Sequence, residues 1–492
     1  MIIKTSPDEI QNYLLDASNF KGFCDAVYIP ENEKDISEIL KEAFRKNIPV
    51  TISGNGTGLT GARVPLGGIV ISTEKLNKII EVNREQLYAV VEPGVLLFEF
   101  QEKVKEQNLL YPPDPTEKNC YIGGTVATNA SGEKTFKYGP TRNYVEEMDI
   151  VLPDGDLLKL KRGSIIADGY KLSIKTQAER VIKIDLPEYK MPATKNVAGY
   201  YCKKNMDAID LFIGSEGTLG VISKMKLKLV PLPEKLISCV VFFEKEKNAL
   251  DFIAKARVIS INTRLSLDSR CIDALALEYF DERTLKFILD DRPQIPSAAK
   301  AAVWFEQEVT TENEDAFLEE WMYLINKFHG FEESAWFALT EADKKGIQEF
   351  RHSIPAKINE YIAKNNLKKL GTDVAVPDDK FEELYYYSKE LVEEEKLNFV
   401  IYGHAGNSHI HLNMLPKNEE EYNTGLNIYL EICNKAIALG GTVSAEHGIG
   451  KLKTDYFLLM YEQDTITKMV EIKRNFDPHM ILGRGNIFNI IT

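Results

Sequence analysis

Ile36, Ile39, Leu40, Ala43 and Phe44 recur at the three- and four-residue spacing that places apolar side chains on one face of an α-helix. A short strand, PVTIS, is predicted directly after them. Residues 1–230 are rich in short strands and glycine-containing loops. They close on KMKLKLVPLPEK, an alternating strand that runs into Pro231 and Pro233 and marks a boundary. Between 234 and 440, apolar strands such as CVVFFE and AVWFEQEV alternate with longer helical segments. Residues 441–492 return to a Gly-rich turn, a helix and a terminal GRGNIF. The predicted division is thus 1–233, 234–440 and 441–492, without an internal repeat. Near the end of the second segment HIHLNML alternates strictly. His409, His411, Asn413 and Leu415 share one strand face, and Ile410, Leu412 and Met414 the other.

Glycine punctuates the first segment in three clusters. In SGNGTGLTGARVPLGG, Gly56, Gly58 and Gly61 match the dinucleotide fingerprint formally, but Pro65, Gly67 and Gly68 would break the helix that fingerprint requires. What is left is a loop whose backbone N–H groups can cradle a phosphate without a helix. In PPDPTEKNCYIGGTVATNASG, small residues from Gly123 to Gly132 suit a backbone wrapped against a flat ligand, with Thr128 and Asn129 able to bond its edges. LFIGSEGTLGVISKMKLKL, at 211–229, predicts a strand, a GSEG turn and a second strand. Each cluster alone could be ordinary turns; three in one segment favour an extended cofactor with phosphates and a ring system.

Composition narrows the partners. Of 492 residues 44% are hydrophobic and 27% charged, a globular profile, and the length calls for two or three domains. A net charge of −14 argues against a sequence-independent nucleic-acid binder. The start lacks a signal-peptide core, and the longest apolar stretch, LISCVVFF, is too short for a bilayer. A chain that is not an integral membrane protein is therefore expected, in the cytoplasm, with peripheral membrane attachment left open. Six scattered cysteines without a CxxC pair suggest reduced thiols and no iron–sulfur cluster.

Three of the seven histidines fall in GHAGNSHIHLNM. On one straight strand His404 and His411 would face opposite ways, but Gly406, Asn407 and Ser408 supply a turn that can swing His404 alongside. Two imidazoles with a carboxylate would make a divalent-metal site; a histidine pair hydrogen-bonded in a polar loop is the plainer alternative.

The glycine-rich runs quoted above, with YGPTRNYVEEMDIVLPDG and IGSEGTLGVI, resemble the FAD-binding domain of the vanillyl-alcohol oxidase/p-cresol methylhydroxylase (PCMH) superfamily. GHAGNSHIHLNM, GGTVSAEHGIGKLK and FDPHMILGRGNIF resemble its glycolate oxidase flavin subunit, D-lactate dehydrogenase and D-2-hydroxyglutarate dehydrogenase group. The resemblance implies an α+β fold: a two-part PCMH-type FAD domain, an α+β cap on an antiparallel sheet, and a C-terminal segment returning to the flavin. It implies FAD contacts from Ser53, Gly54, Asn55, Gly56, Thr57, Gly58 and Thr60 at the pyrophosphate. Pro113, Asp114, Gly123, Gly124, Thr128, Asn129 and Gly132 would line the ring and ribityl chain, with Glu216, Gly217 and Ile222 near the adenosine. Some members bond FAD to a histidine of this domain, but the first histidine here is His329, so FAD is expected to be non-covalent.

By the same resemblance His404, His411 and Glu446 hold zinc or another first-row transition metal. Arg351 and Asn413 contact a small 2-hydroxy acid, and His447 is the base. The implied reaction passes a hydride from C2 to flavin N5 and gives a 2-oxo acid. The electrons leave to an external acceptor: electron-transfer flavoprotein, a partner subunit, quinone or oxygen. The chain departs from the group at four places. His409 ends Gly406-Asn407-Ser408-His409 where GDGN is usual. Pro355 replaces a threonine and Gly371 a lysine of the 2-hydroxyglutarate enzymes, with Lys368 and Lys369 nearby. GRGN at 483–486 replaces NPGK. Alternative readings are a sugar-alcohol oxidase, an alkylglycerone-phosphate-synthase-like flavoenzyme, or a non-catalytic flavin electron-transfer subunit.

Overall fold

The computed structural model describes residues 1–266, 271–338, 340–365, 367 and 370–489. The first predicted helix is Glu33–Lys46. The Asn32 side chain accepts the Asp35 N–H at its start, and Asn47 closes it in the left-handed conformation. The strand after it, Val50–Ser53, pairs in parallel with Ile69–Ser72, which pairs in parallel with Ala26–Ile29; Ile2–Lys4 completes this four-stranded sheet. A second, antiparallel sheet orders Ile79–Asn83, Tyr88–Val91, Val221–Lys228, Val145–Val151 and Leu157–Lys161. Ile36, Ile39 and Leu40 of the helix share one core with Val151 and Val221 of the second sheet, so the helix glues the two sheets together.

The third glycine cluster departs from the strand–turn–strand expectation. Ile209–Phe212 is a single helical turn, and only Val221–Lys228 is a strand. Gly214 and Glu216 donate their N–H groups to the carbonyls of Val126 and Ala127 at the end of the short helix Ile122–Ala127. The GSEG stretch hangs from that helix end, whose carbonyls lack intrahelical donors, and not from a sheet.

Beyond Pro231 and Pro233 the chain enters a seven-stranded antiparallel sheet. Its order is Trp336–Phe337, Lys235–Phe243, Ala301–Val309, Ala274–Asp281, Phe399–Gly403, His411–Met414 and Leu370–Gly371. Cys239, Val241 and Phe243 join the core that includes Phe252 of the helix Glu246–Ser266 and Trp321 of Glu314–Lys327. Val240 and Phe242 join a second core with Ile347, Phe350 and Ile354 of the helix Glu341–Lys364. Helices therefore cover both faces, which is why LISCVVFF reads as a continuous apolar run without alternation. The six cysteines are free thiols. Among the described residues no helix is long and apolar enough to cross a membrane.

The last segment comes back to the first. Val50 donates to the Ile481 carbonyl at 2.8 Å and accepts from Gly483 at 2.9 Å, so residues 481–483 extend the first sheet. The buried Glu216 carboxylate accepts the N–H groups of Ile449 and Gly450 at 2.7 and 2.6 Å. In GRGN, Asn486 donates to the carbonyls of Ala62 and Glu216 and accepts from Lys451. Burial raises the Glu216 pKa to about 7 despite those two N–H donors. The folded state thus binds the proton more tightly than the unfolded one. Glu216 contributes most below the ordinary carboxylate pKa, and that contribution is lost as pH rises towards 7. Relative to Glu216→Gln, thermal denaturation of the wild type should show a stability that falls between pH 5 and 7 and then levels off.

Candidate active site

The strand Phe399–Gly403 ends at Gly403, whose φ of 141° suits glycine; a Cβ there would lie 3.2 Å from the His411 ring. His404 follows, then one 3-10 turn, Ala405–Asn407, with Ser408 left-handed behind it. Arg257 holds this turn through the Gly406 and Ala405 carbonyls. The chain then re-enters the sheet at His411–Met414, with His411 opposite Tyr402. The hairpin gathers all three imidazoles, with ring centres 5.5 Å (His404–His409), 5.6 Å (His404–His411) and 4.5 Å (His409–His411) apart.

Glu446 completes the cluster. Its Oε2 lies 3.3 Å from His404 Nε2, 3.7 Å from His411 Nε2 and 4.0 Å from His409 Nδ1. Its Oε1 is taken by Ser131 Oγ, at 3.1 Å, and by the Lys195 ammonium. The carboxylate thus offers a single oxygen to the space between the rings. Ligand atoms of His404, His409, His411 and Glu446 all fall within 4.8 Å of one another. In the fully buried His409 ring Nε2 lies 3.1 Å from Asp373, and Nδ1 has no hydrogen-bond partner. A buried imidazole nitrogen without a partner, beside two other rings and a carboxylate, fits a divalent cation with mixed N/O preference.

Charge states differ ring by ring. Burial lowers the pKa of His409 and takes His411 well below the usual imidazole value, so both are neutral with a free lone pair. Burial would do the same to His404, but Glu278 and Glu446 outweigh it and raise its pKa to about 9. His447 stacks near-parallel on His411, its ring centre 5.5 Å away, and is lowered to about 4, chiefly by burial.

Two carboxylates that sequence reasoning passed over organise the rest. Glu278 sits in the strand Ala274–Asp281, buried along its whole length; Oε1 is 2.6 Å from His404 Nδ1, and Oε2 accepts from Arg351 Nε at 2.9 Å. Burial would raise its pKa, yet His404 and Arg351 bring it down to about 2. The available signal was a lone glutamate inside the apolar run ALALEYF. Asp373 lies in the run TDVAVP, residues 372–377. It accepts from Ser444 Oγ, Lys453 Nζ and the N–H groups of Glu446 and His447. Arg351 is buried on the helix Glu341–Lys364, its Nη1 without a partner. Asn413, also buried, bonds the His411 carbonyl. Lys368 and Lys369 lie outside the described residues.

The glycine clusters converge on the same place. Asn55 donates to the Asn119 carbonyl, and a Cβ on Gly54 would meet only the Tyr121 ring, at 3.9 Å. Ser53 Oγ and Arg63 Nη1 both bond the Gly54 carbonyl, Gly56 has a positive φ, and Thr57 is half-buried. A Cβ on Gly58 would approach only Asp16, at 3.8 Å, and one on Gly124 would meet nothing within 4 Å. At these three glycines the backbone is open to close approach by a ligand. Gly123 and Gly132 are glycine for a different reason: a Cβ would strike Pro93 and the Asp114 carbonyl. Thr128 Oγ bonds back to the Gly124 carbonyl, Asn129 Oδ1 accepts from the Arg142 N–H, and Asp114, next to the buried Pro113, pairs with Lys118 and Lys134. Gly217 packs on Ile52, and Ile222 stands opposite Ile150 in the second sheet. Thr60 and Ser131 connect these clusters to His447 and Glu446. Asp373→Asn should turn an amide towards one of its buried donors and cost about 3–5 kcal/mol in chemical denaturation.

Residues 24–161 match the FAD binding domain family, and residues 261–487 match the C-terminal domain of the FAD linked oxidases. The glycolate oxidase subunit GlcD of Bacillus subtilis is 31% identical over 97% of this chain and 92% of its own. A D-lactate dehydrogenase of Anaerostipes hadrus is 30% identical over 92% and 87%, and a D-2-hydroxyglutarate dehydrogenase of Stutzerimonas stutzeri 27% over 99% and 96%. The fold is shared with a solved alkyldihydroxyacetonephosphate synthase, with a TM-score of 0.70 at 16% identity over 98% of this chain and 81% of that one. With the two domain matches and this kinship along nearly the full length, the chain belongs to the FAD-linked oxidases.

Proposed function

We propose that the protein oxidises a small 2-hydroxy acid, D-lactate- or glycolate-like, to the 2-oxo acid, with non-covalent FAD and a divalent metal, zinc or another first-row transition ion. The carrying observation is the Arg351 Nη1, a charged donor buried without a partner, on a guanidinium that shares Glu278 with His404. A buried unpaired guanidinium nitrogen is costly unless an anion fills the space beside it. Arg351 would bind the substrate carboxylate and Asn413 would help orient the bound acid. The metal ligands would be His404 Nε2, His411 Nε2 and Glu446 Oε2, with His409 Nδ1 as a further donor in reach. When bound, the flavin supplies a two-electron acceptor and the cation a Lewis acid for the 2-hydroxyl.

His447 is the proton acceptor in this reading. Burial keeps it neutral, and Asp373 Oδ2, 3.4 Å from its Nδ1, favours the tautomer that leaves Nε2 free. The reduced cofactor would pass its electrons to an external acceptor, since the scattered cysteines offer no iron–sulfur site.

Anaerobic mixing with D-lactate, glycolate and longer 2-hydroxy acids should bleach the flavin with at least one of them, and chelation should abolish the bleaching. Bleaching by polyols alone, indifferent to chelator, would sink the reading. Arg351→Met should lower kcat/KM for the hydroxy acid by about 10- to 100-fold, the loss of a charged hydrogen bond.

A further inference from the structure

We propose that Glu278 is a positioning residue that sets which nitrogen of His404 faces Glu446 and the metal, with Arg351 fixing the polarity of the arrangement. The inference deepens the reading of His404 as a metal ligand and rests on it. An ionised carboxylate only accepts hydrogen bonds, so the 2.6 Å contact of Oε1 with His404 Nδ1 requires the proton on Nδ1. In the neutral ring the lone pair is then on Nε2, the nitrogen that faces Glu446 Oε2. The other oxygen, Oε2, is held at 2.9 Å by Arg351 Nε, a group that can only donate.

Stability gives no reason for this carboxylate. It is fully buried in a strand whose other members are nearly all apolar, and a buried ion pair is often no better for stability than apolar residues of similar volume. What an apolar residue could not do is hold one imidazole tautomer. Partners that orient metal-bound histidines in this way are worth about 10- to 100-fold in metal affinity.

Arg351 makes the idea sharply testable. In Glu278→Gln the amide oxygen must stay on the arginine, because Arg351 Nε cannot accept. The NH2 group is therefore forced towards His404 Nδ1, which must become the acceptor, and the ring proton moves to Nε2, where it blocks a cation. Adding Arg351→Met releases the amide to rotate, its oxygen returns to Nδ1, and the Nε2 lone pair is restored. Zinc titration of the metal-stripped full-length proteins should give binding about 10- to 100-fold weaker in Glu278→Gln. Affinity should be near wild type in Arg351→Met and recover in the double variant, although activity does not. Equal zinc affinity in wild type and a folded Glu278→Gln, or no recovery in the double variant, would overturn the proposal.

A second measurement needs only the wild type. In 15N-histidine spectra of the metal-free protein, taken at a pH high enough for His404 to carry one proton only and with the ring assigned by difference from His404→Gln, that proton should sit on Nδ1; a proton on Nε2 instead refutes the role of Glu278 whether or not the variants fold. Wild type that takes up no zinc counts against the metal reading alone, and the Nδ1 measurement still decides the tautomer.

Discussion

Three carboxylates, Glu278, Asp373 and Glu446, sit almost wholly out of water within one small volume, and the rest of the site follows from satisfying them. Side-chain exposure is 0% for Glu278 and Asp373 and 9% for Glu446. An ionised carboxylate in such surroundings persists only with opposite charges and hydrogen-bond donors around it. Those partners come from distant parts of the chain. Ser131 and Lys195, both before Pro231, serve Glu446; Arg351 and His404, beyond it, serve Glu278; Ser444, Lys453 and two backbone N–H groups near the end of the chain serve Asp373. Each carboxylate ties together segments that no local pattern would bring together, so burying the charges and assembling the domains are one event.

The same burial sorts the imidazoles. Desolvation keeps His409, His411 and His447 neutral, while His404, between two acids, retains a positive charge at neutral pH. Under the proposed reading an incoming divalent cation replaces that single proton on His404 and finds the other lone pairs ready. Lys195 then has a clear part. By occupying Oε1 it keeps Glu446 from engaging with both oxygens and leaves coordination positions for the hydroxy acid.

Elements with a local cause were legible in the sequence. The helix Glu33–Lys46, the strand after it, the alternating strand into Pro231 and the apolar cap strands all carry their periodicity in adjacent residues. GHAGNSHIHLNM also declared its turn, through Gly406 and Ser408. The GSEG stretch did not, because its partners are the carbonyls at the end of another helix. Glu278 and Asp373 were missed for a related reason: a single acid in an apolar strand means nothing until the fold places a guanidinium, an imidazole or an ammonium against it. His409 was visible as a departure, but its role depended on where Glu446 and Asp373 would lie. Gly123 and Gly132 were legible as positions needing a small residue, but that a Cβ there would strike Pro93 and the Asp114 carbonyl depends on the fold.

The carboxylate-held half of the site leaves little freedom, so under the proposed reading selectivity would come from what borders Arg351. Pro355 lies one helical turn beyond it on the same face and is half-buried. Lacking an N–H, it cannot bond the Arg351 carbonyl, and it presents a pyrrolidine ring where a hydrogen-bonding side chain would recognise a second polar group. Gly371 pairs with Asn413 at the sheet edge and brings no side chain at all. Under the proposed reading, a substrate extended by a second carboxylate would meet a ring and a bare backbone at these two positions, where a polar or cationic side chain would otherwise pair with the charge. A hydroxy acid ending in a methyl group or a hydrogen brings no such charge. On that reading, Pro355 and Gly371 would therefore favour lactate- or glycolate-sized molecules over longer diacids.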